Sequence, residues 1–297
     1  MIAQPDSDIP RASSVTHEHL LSVIHTETRD LPEGGTFRLL DAGCGNGRMT
    51  AYLVENLPKP NQSLNFDIFG FDVSDFGSQA EDFFSGTIHL LSTKFPEMDW
   101  KNKLALISVH DRWPYPDEYF DAIVSNQVLE HVKDLDLFFS EIHRTLRCGG
   151  FSVHLFPLIH CIYEGHLLLP WVHRIKHDGM LVAAIRFLSQ LGLGKYKRYR
   201  RECGVTLDEF SRQHADYIHH LTHYIGYGEA LQLAERHNMC VSTKYTQEFY
   251  VKKVAILGGM KPGFVYRRSR SSSMDRLAVF FLKYISSVTL FLQKNGR

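Results

Sequence analysis

The sequence predicts an α/β fold: a doubly wound, mostly parallel sheet with a helical insert. Three observations predict it. Short apolar segments alternate with helical ones through the first half of the chain. The first apolar segment runs into "LLDAGCGNGRMT" (39–50), where an acid is followed by three glycines at alternate positions and then by helix-forming residues. From 158 to 225 the strand rhythm stops, and the chain becomes rich in His, Tyr and Arg.

The elements follow in order. "HEHLLSVIHTETRD" (17–30) has Leu20, Leu21 and Ile24 at helical spacing, after a polar stretch at 1–14 that reads as a tail. "LPEGG" breaks the chain. "FRLLDAG" (37–43) is the first strand, and "RMTAYLVENL" (48–57) is a helix stopped by "PKP". "FDIFGFDVS" (66–74) is the second strand and "FGSQAEDFF" (76–84) a helix. "KLALISVHD" (103–111) and "FDAIVSNQ" (120–127) are the third and fourth strands. "LDLFFSEIHRTLR" (135–147) is an amphipathic helix, ended by "CGG" before a fifth strand, "FSVHLFP" (151–157). After the insert come a helix at 227–239 and a strand at 240–249, with "VKKVAILGGM" ambiguous. The end reads as a short helix (274–285) and a last strand (287–294), marked by the "SS" break and the pair Val288-Thr289. The rival reading of that end is an amphipathic membrane-surface helix beside the basic run "YRRSRSSS".

Composition narrows the function. With 297 residues, 44% of them hydrophobic, the chain can bury one large core. Lys and Arg number 33, and so do Asp and Glu, so no overall charge draws the protein to nucleic acid. Five scattered cysteines without a CxxC speak against a disulfide framework and a structural zinc site. The N-terminus lacks the apolar core of a secretory signal, and no stretch reaches the ~18 apolar residues of a spanning helix. A reduced, cytoplasmic setting is expected, with peripheral membrane contact left open.

The glycine loop narrows the ligand. A dinucleotide fingerprint is G-x-G-x-x-G; here the pattern is G-x-G-x-G, with Arg48 following. Pyrophosphate wants a helix N-terminus, whereas close backbone approach beside the acid Asp41 suits a cationic amino-acid portion. Asp72, at the tip of "GFDVS", can accept both hydroxyls of a ribose.

Four stretches carry a family resemblance: "LLDAGCGNGRMT", "GFDVSD", "VHDRWPYPDEYFDAIVSNQVLEHVKD" and "EIHRTLRCGGFSVHLFP". In order and spacing, residues 37–157 resemble a class I S-adenosylmethionine-dependent methyltransferase, of the methyltransferase type 11-like subgroup. The resemblance implies a Rossmann-like sheet of seven strands with the last one antiparallel, and S-adenosyl-L-methionine as cofactor. It implies that Asp41, Gly43, Cys44, Gly45, Asn46 and Gly47 face the methionine portion. Asp72 would hold the ribose, with Val73 beside the adenine. Asp111 would accept from the adenine amino group, helped by the backbone of Arg112. Asn126 and Gln127 would line the sulfonium side, and Glu130 and His131 match the "LEH" that closes the region. Taken singly, each acid also has a structural reading, as a turn cap, a helix cap or a surface charge.

The organisation that follows is an N-terminal tail and helix (1–35), a cofactor-binding core (36–157), a helical lid (158–226) and a C-terminal completion of the sheet (227–297). A hydroxyl acceptor wants a general base. His160, Glu164, His166 and His173 follow the fifth strand, and the "EGHLLLPWVHRI" phrasing resembles a segment of some small-molecule and glycan methyltransferases. His166, together with His131, is the catalytic candidate. Leu167, Leu168, Leu169 and Trp171 read as an apolar acceptor wall or as lid core. His219 and His223 share a helix face at i, i+4, but no acid stands between them, so no metal is assigned. "KYKRYRREC" (195–203) can grip an anionic or lipid-linked acceptor, or be a solvated helix face. The expected activity is methyl transfer to a small-molecule hydroxyl on a glycan, lipid-linked or other metabolite. Two alternatives stay open: an inactive cofactor-binding partner subunit, and a nucleic-acid or protein methyltransferase, against which "SNQV" stands in place of an NPPY-type tetrapeptide.

Overall fold

The computed structural model describes residues 9–59, 64–74, 81–267 and 271–294, without the side chains of residues 81, 82 and 272. A helix, α1 (Val15–Thr28), precedes β1 (Thr36–Ala42), α2 (Arg48–Asn56) and β2 (Asn65–Val73). Then come α3 (Glu81–Lys94), the single turn α4 (Trp100–Lys103), β3 (Leu104–Ile107), β4 (Phe120–Asn126), α5 (Leu135–Thr145) and β5 (Leu146–Pro157). The insert holds α6 (Asp178–Gln190), α7 (Tyr196–Cys203) and α8 (Leu207–Leu221). The chain closes with α9 (Tyr227–Arg236), β6 (Met239–Ser242), α10 (Thr246–Leu257), α11 (Ser272–Leu282) and β7 (Ser287–Lys294).

The sheet has seven strands in the order β3-β2-β1-β4-β5-β7-β6. Strands β1 to β5 pair in parallel, and β7 runs antiparallel to both β5 and β6. Both faces are covered, which is why β4 is buried along nearly its whole length and reads as a continuous apolar run. One core lies between the sheet and α1, α2 and α10; another lies beneath α5 and α9. The insert has its own small core, built on Leu167, Leu169, Leu181, Ile185 and Phe210. The strand order reverses between β1 and β4, which opens a crevice at the carboxyl ends of those strands.

Several expectations change. The third strand ends at Ile107, because Ser108–Asp111 closes a turn in which the Asp111 amide donates to the Ser108 carbonyl. The "CGG" segment lies inside β5, where a Cβ on Gly150 would stand 2.8 Å from the Asp121 carbonyl, so the register shifts there. The strand expected at 240–249 stops at Ser242, and "VKKVAILGGM" falls mostly within α10. Phe249, Lys252 and Ala255 are buried there at helical spacing, and packing overrides strand propensity. Of the helix expected at 76–84, residues 76–80 lie outside the described residues, and α3 runs on to Lys94. The N-terminal stretch packs from Ile9 onward: Ile9 is buried and the Tyr52 hydroxyl donates to the Pro10 carbonyl. The helix-then-strand reading of the chain end agrees with α11 and β7. Among the described residues, no helix is long and apolar enough to cross a membrane.

Candidate functional site

The crevice is a cavity of about 590 Å³ at the strand ends. Its floor is the turn after β1. Gly43 (φ +79°) and Gly45 (φ +52°) adopt left-handed conformations that side-chain-bearing residues avoid. The amides of Gly43 and Cys44 both donate to the Phe71 carbonyl at 2.9 Å, which ties the loop to the end of β2. A Cβ on Gly43 would meet Val128 at 2.5 Å, whereas one on Gly45 would find only Asp72 Oδ2, at 3.9 Å. Gly45 therefore leaves a cradle on the cavity side.

Asp72 closes this floor. Its Oδ2 accepts from the Gly45 amide at 2.5 Å and its Oδ1 from the Val73 amide at 2.7 Å. Burial pushes its carboxyl above the usual range, and the two amide hydrogen bonds pull it back. Each carboxylate oxygen keeps a further lone pair for a ligand hydroxyl. Asp41 lies beneath the floor: it is wholly buried, Oδ2 accepts from the Thr50 hydroxyl at 2.7 Å, and Oδ1 has no partner. Burial raises its pKa to about 7, opposed by the Thr50 hydrogen bond.

The walls come from the neighbouring strand ends. Val73, Ile107 and Val109 give an apolar side. Asp111 lines the cavity, and one of its oxygens accepts from the Ser108 amide at 2.8 Å. Asn126 lines it as well, and its side-chain oxygen is buried without a partner. Gln127 also lines it, in a left-handed conformation (φ +57°), but its amide nitrogen donates to the Leu155 carbonyl and the Ser287 hydroxyl.

At the side nearest the insert lies a polar cluster. His131 and Tyr217 line the cavity. His131 Nδ1 donates to the Leu221 carbonyl at 2.6 Å, which leaves Nε2 as the acceptor nitrogen, and burial lowers its pKa. The His166 ring stands 5.2 Å from that of His131 and 5.0 Å from that of Tyr217, one layer behind the wall. Its Nδ1 bonds Glu164 Oε1 at 2.6 Å; the same oxygen accepts from the Tyr224 hydroxyl at 2.7 Å, and Oε2 accepts from the Leu167 amide at 2.6 Å. Burial pushes the Glu164 carboxyl up, but these donors outweigh it and hold it at about 2. Glu130 is the opposite case: it is fully buried with Oε2 unpartnered, and burial raises it to about 8.

Of the cofactor-facing residues expected from sequence, the cavity gathers Gly43, Gly45, Asp72, Val73, Asp111, Asn126 and Gln127. Five are turned elsewhere. Asp41 is below the loop, as described. Cys44 packs in a cluster with Phe84, Leu91 and Trp100. Asn46 accepts from the Arg48 amide at the start of α2. Gly47 faces Thr87 and Leu91, within 3.4 Å of where its Cβ would be. Arg112 is outside the lining, and its side chain points to Asp117 and Glu141, although the expectation concerned its backbone. His166 is likewise not on the cavity surface. Trp113, Val128, Phe138 and Tyr217 line it without having been expected at the site; Trp113 lies in the quoted "DRWPYP" and Phe138 on the apolar face of the helix read at 135–147, whereas Tyr217 had no signal.

The remaining motifs resolve as structure. α8 ends at Leu221, so His219 and His223 do not share a helix face; His219 pairs with Asp178, and the His223 amide donates to the Glu130 carbonyl at 2.5 Å. In α7 the tyrosines Tyr196 and Tyr199 pack on Phe210 while the cations stay in solvent. Leu167 and Leu169 are insert core; Leu168 and Trp171 are exposed.

Residues 40–154 match the family described as "Methyltransferase domain". Over 154 residues the chain is 27% identical to an uncharacterised methyltransferase of Schizosaccharomyces pombe, a match covering 51% of this chain and 49% of that protein. The chain thus spans about half the length of that curated relative. Among solved structures it is similar to the YcgJ protein of Bacillus subtilis (TM-score 0.46, 12% identity, 94% of this chain and 100% of that one). It is also similar to the CurJ carbon methyltransferase (TM-score 0.49, 15% identity, 96% of this chain and 56% of that one).

Proposed function

We propose that this chain, whose residues 40–154 match the methyltransferase domain family, transfers a methyl group from S-adenosylmethionine to a hydroxyl of a small-molecule acceptor. A glycan or a lipid-linked metabolite is the acceptor class. The observation that carries the reading is the cavity floor, where the Gly45 cradle and the Asp72 carboxylate converge. These features fit the cofactor: a gap for a chain with no side group in the way, and an acceptor for ribose hydroxyls. When bound, the cofactor supplies an electrophilic methyl on a sulfonium.

The chain's residues then have three tasks. Gly43, Gly45 and Asn126 seat the amino-acid portion. Asp72 holds the ribose while Val73 and Ile107 flank the base, and the second oxygen of Asp111 accepts a hydrogen bond from the adenine amino group. His131 holds a neutral imidazole at the cavity wall, with Nε2 free to take the acceptor proton, and is the better-placed base. Glu164 and His166, behind it, support the Tyr217 side of the wall.

The test begins with cofactor binding. S-adenosylhomocysteine should bind, and Asp72→Ala should weaken it ~10- to 100-fold, the loss of hydrogen bonds to a charged group. Methyl-labelled S-adenosylmethionine and a lysate of the source cell then report the acceptor. Label in the organic or small polar fraction supports the reading; label in nucleic acid or protein overturns the acceptor class. Binding with no label in any fraction overturns catalysis in favour of a partner subunit, and no binding removes the proposal altogether.

A further inference from the structure

The last 52 residues, from Thr246 onward, hold ten lysines and arginines and two acids, Glu248 and Asp275, although the whole chain is neutral. Asp275 is buried and Glu248 half-buried. The segment contains α10 and α11, which pack on each other. An ordinary surface helix hides its apolar stripe and shows polar residues. Here the outward stripes are apolar. On α10 the exposed residues are Val251, Val254 and Leu257, spaced by three, with Leu257 85% exposed. On α11 and the turn after it they are Met274, Leu277, Phe280, Phe281, Tyr284 and Ile285, with Phe281 60% exposed. Cations stand among them: Lys283 Nζ lies 5.4 Å from the Phe280 ring and 5.2 Å from the Tyr284 ring, and Lys261, Arg267 and Arg276 are exposed.

We propose that α10 and α11 form a docking surface for a bilayer that carries anionic lipid. Exposed large apolar side chains gain by entering the acyl boundary, and each cation near a negative surface strengthens the attraction. Charge selects the occupant: a second copy of this face would set like charges against each other, whereas an anionic headgroup layer complements them. The surface reaches the rim of the catalytic edge. The Ile162 amide donates to the Tyr284 carbonyl at 2.8 Å, and the Trp171 amide to the Ile162 carbonyl at 2.7 Å. Tyr163 and Trp171 are exposed there, amphipathic rings of the kind that settle at a membrane interface. β7 begins just after α11, at the carboxyl end of β5 where Ser287 pairs with Pro157, so the docked face stands beside the cavity mouth.

The test is flotation of the full chain with vesicles of phosphatidylcholine alone or with 30% phosphatidylglycerol (about one lipid in three, enough for a surface potential). Binding should need the anionic lipid and fall several-fold on raising salt from about 0.1 to 0.5 M, as screening tightens. Phe280→Asp/Phe281→Asp should lose at least about tenfold in binding, the order of burying two aromatic rings, with the unfolding temperature unchanged because both side chains are exposed. Equal recovery of that variant and the wild type overturns the proposal. So does a wild-type dimer that fails to float and that the variant dissolves into monomers, which would give the face to a second copy. The readout needs no methyl transfer, so its failure is separate from failure of the proposed activity.

Discussion

Gly43 and Gly45 differ by two positions and do different work. Gly43 has no room: an added Cβ would collide with Val128, and its φ is positive. Gly43→Ala should destabilise the fold by about 1–3 kcal/mol, from strain and the forced shift. Gly45→Ala meets nothing closer than 3.9 Å and carries only the backbone strain, so it should cost about 1 kcal/mol. Its methyl fills the cradle, however, and affinity for S-adenosylhomocysteine should fall more than stability does. Urea unfolding beside calorimetric titration separates the two; a Gly45→Ala protein that binds normally removes the cradle from the site. The three glycines and Asp72 were legible in the sequence because a tight turn at a strand end admits few residue types. That Gly47 serves helix packing while Gly45 serves the cavity was not legible, since both are glycines at the same spacing and only the position of Thr87 and Leu91 tells them apart.

At the scale of elements, the two ends of the insert are tied to each other by Glu164. Its carboxylate gathers His166, Tyr224 and the Leu167 amide from separate turns of the insert. A carboxylate held at about 2, against an ordinary value of 4.5, contributes stability that is present above pH 4.5 and lost as pH falls toward 2. Glu164→Gln should destabilise the protein by about 1–3 kcal/mol at pH 7, because the buried donors lose a charged acceptor. The gap to wild type should narrow as pH drops from 4.5 to 3. Denaturant midpoints at pH 7 and pH 3.5 decide it, and a gap that stays constant would show that Glu164 is not ionised there. The segment "EGHLLLPWVHRI" drew attention in the sequence, but as a source of a base. The structure uses it as an internal tie of the insert, because Leu167 and Leu169 turn into the insert core and take the Glu164–His166 pair behind the wall that His131 and Tyr217 form.

For the whole molecule, buried ionisable groups set the pH response. Asp41 at about 7 and Glu130 at about 8 are raised by burial, so the stability they allow is fullest below pH 4 and declines as pH climbs to those values. His154, which burial lowers to about 3, acts the other way and removes stability only below about pH 6.5. Between pH 6.5 and 8 the two acids pull stability down as pH rises, while the histidines that burial lowers, His131 and His154 among them, pull it up until just above pH 6.5. The double variant Asp41→Asn/Glu130→Gln should lose the downward contribution, so its unfolding temperature should fall less, or rise more, than that of the wild type over this range; identical pH profiles would show that the two acids do not titrate there. The alternation of strands and helices, the glycine turn, the acids at strand ends and a last strand at 287–294 were determined by the sequence alone, because periodicity and turn chemistry act over neighbouring residues; the antiparallel run of that strand came only from the family resemblance. Which acids face the cavity, that Asp111 sits in a turn, that 246–257 is helix, and that Tyr217 and His131 meet at one wall were decided only by the tertiary structure. Each of those depends on what packs opposite, from parts of the chain tens or hundreds of residues away, and local pattern carries no record of the partner.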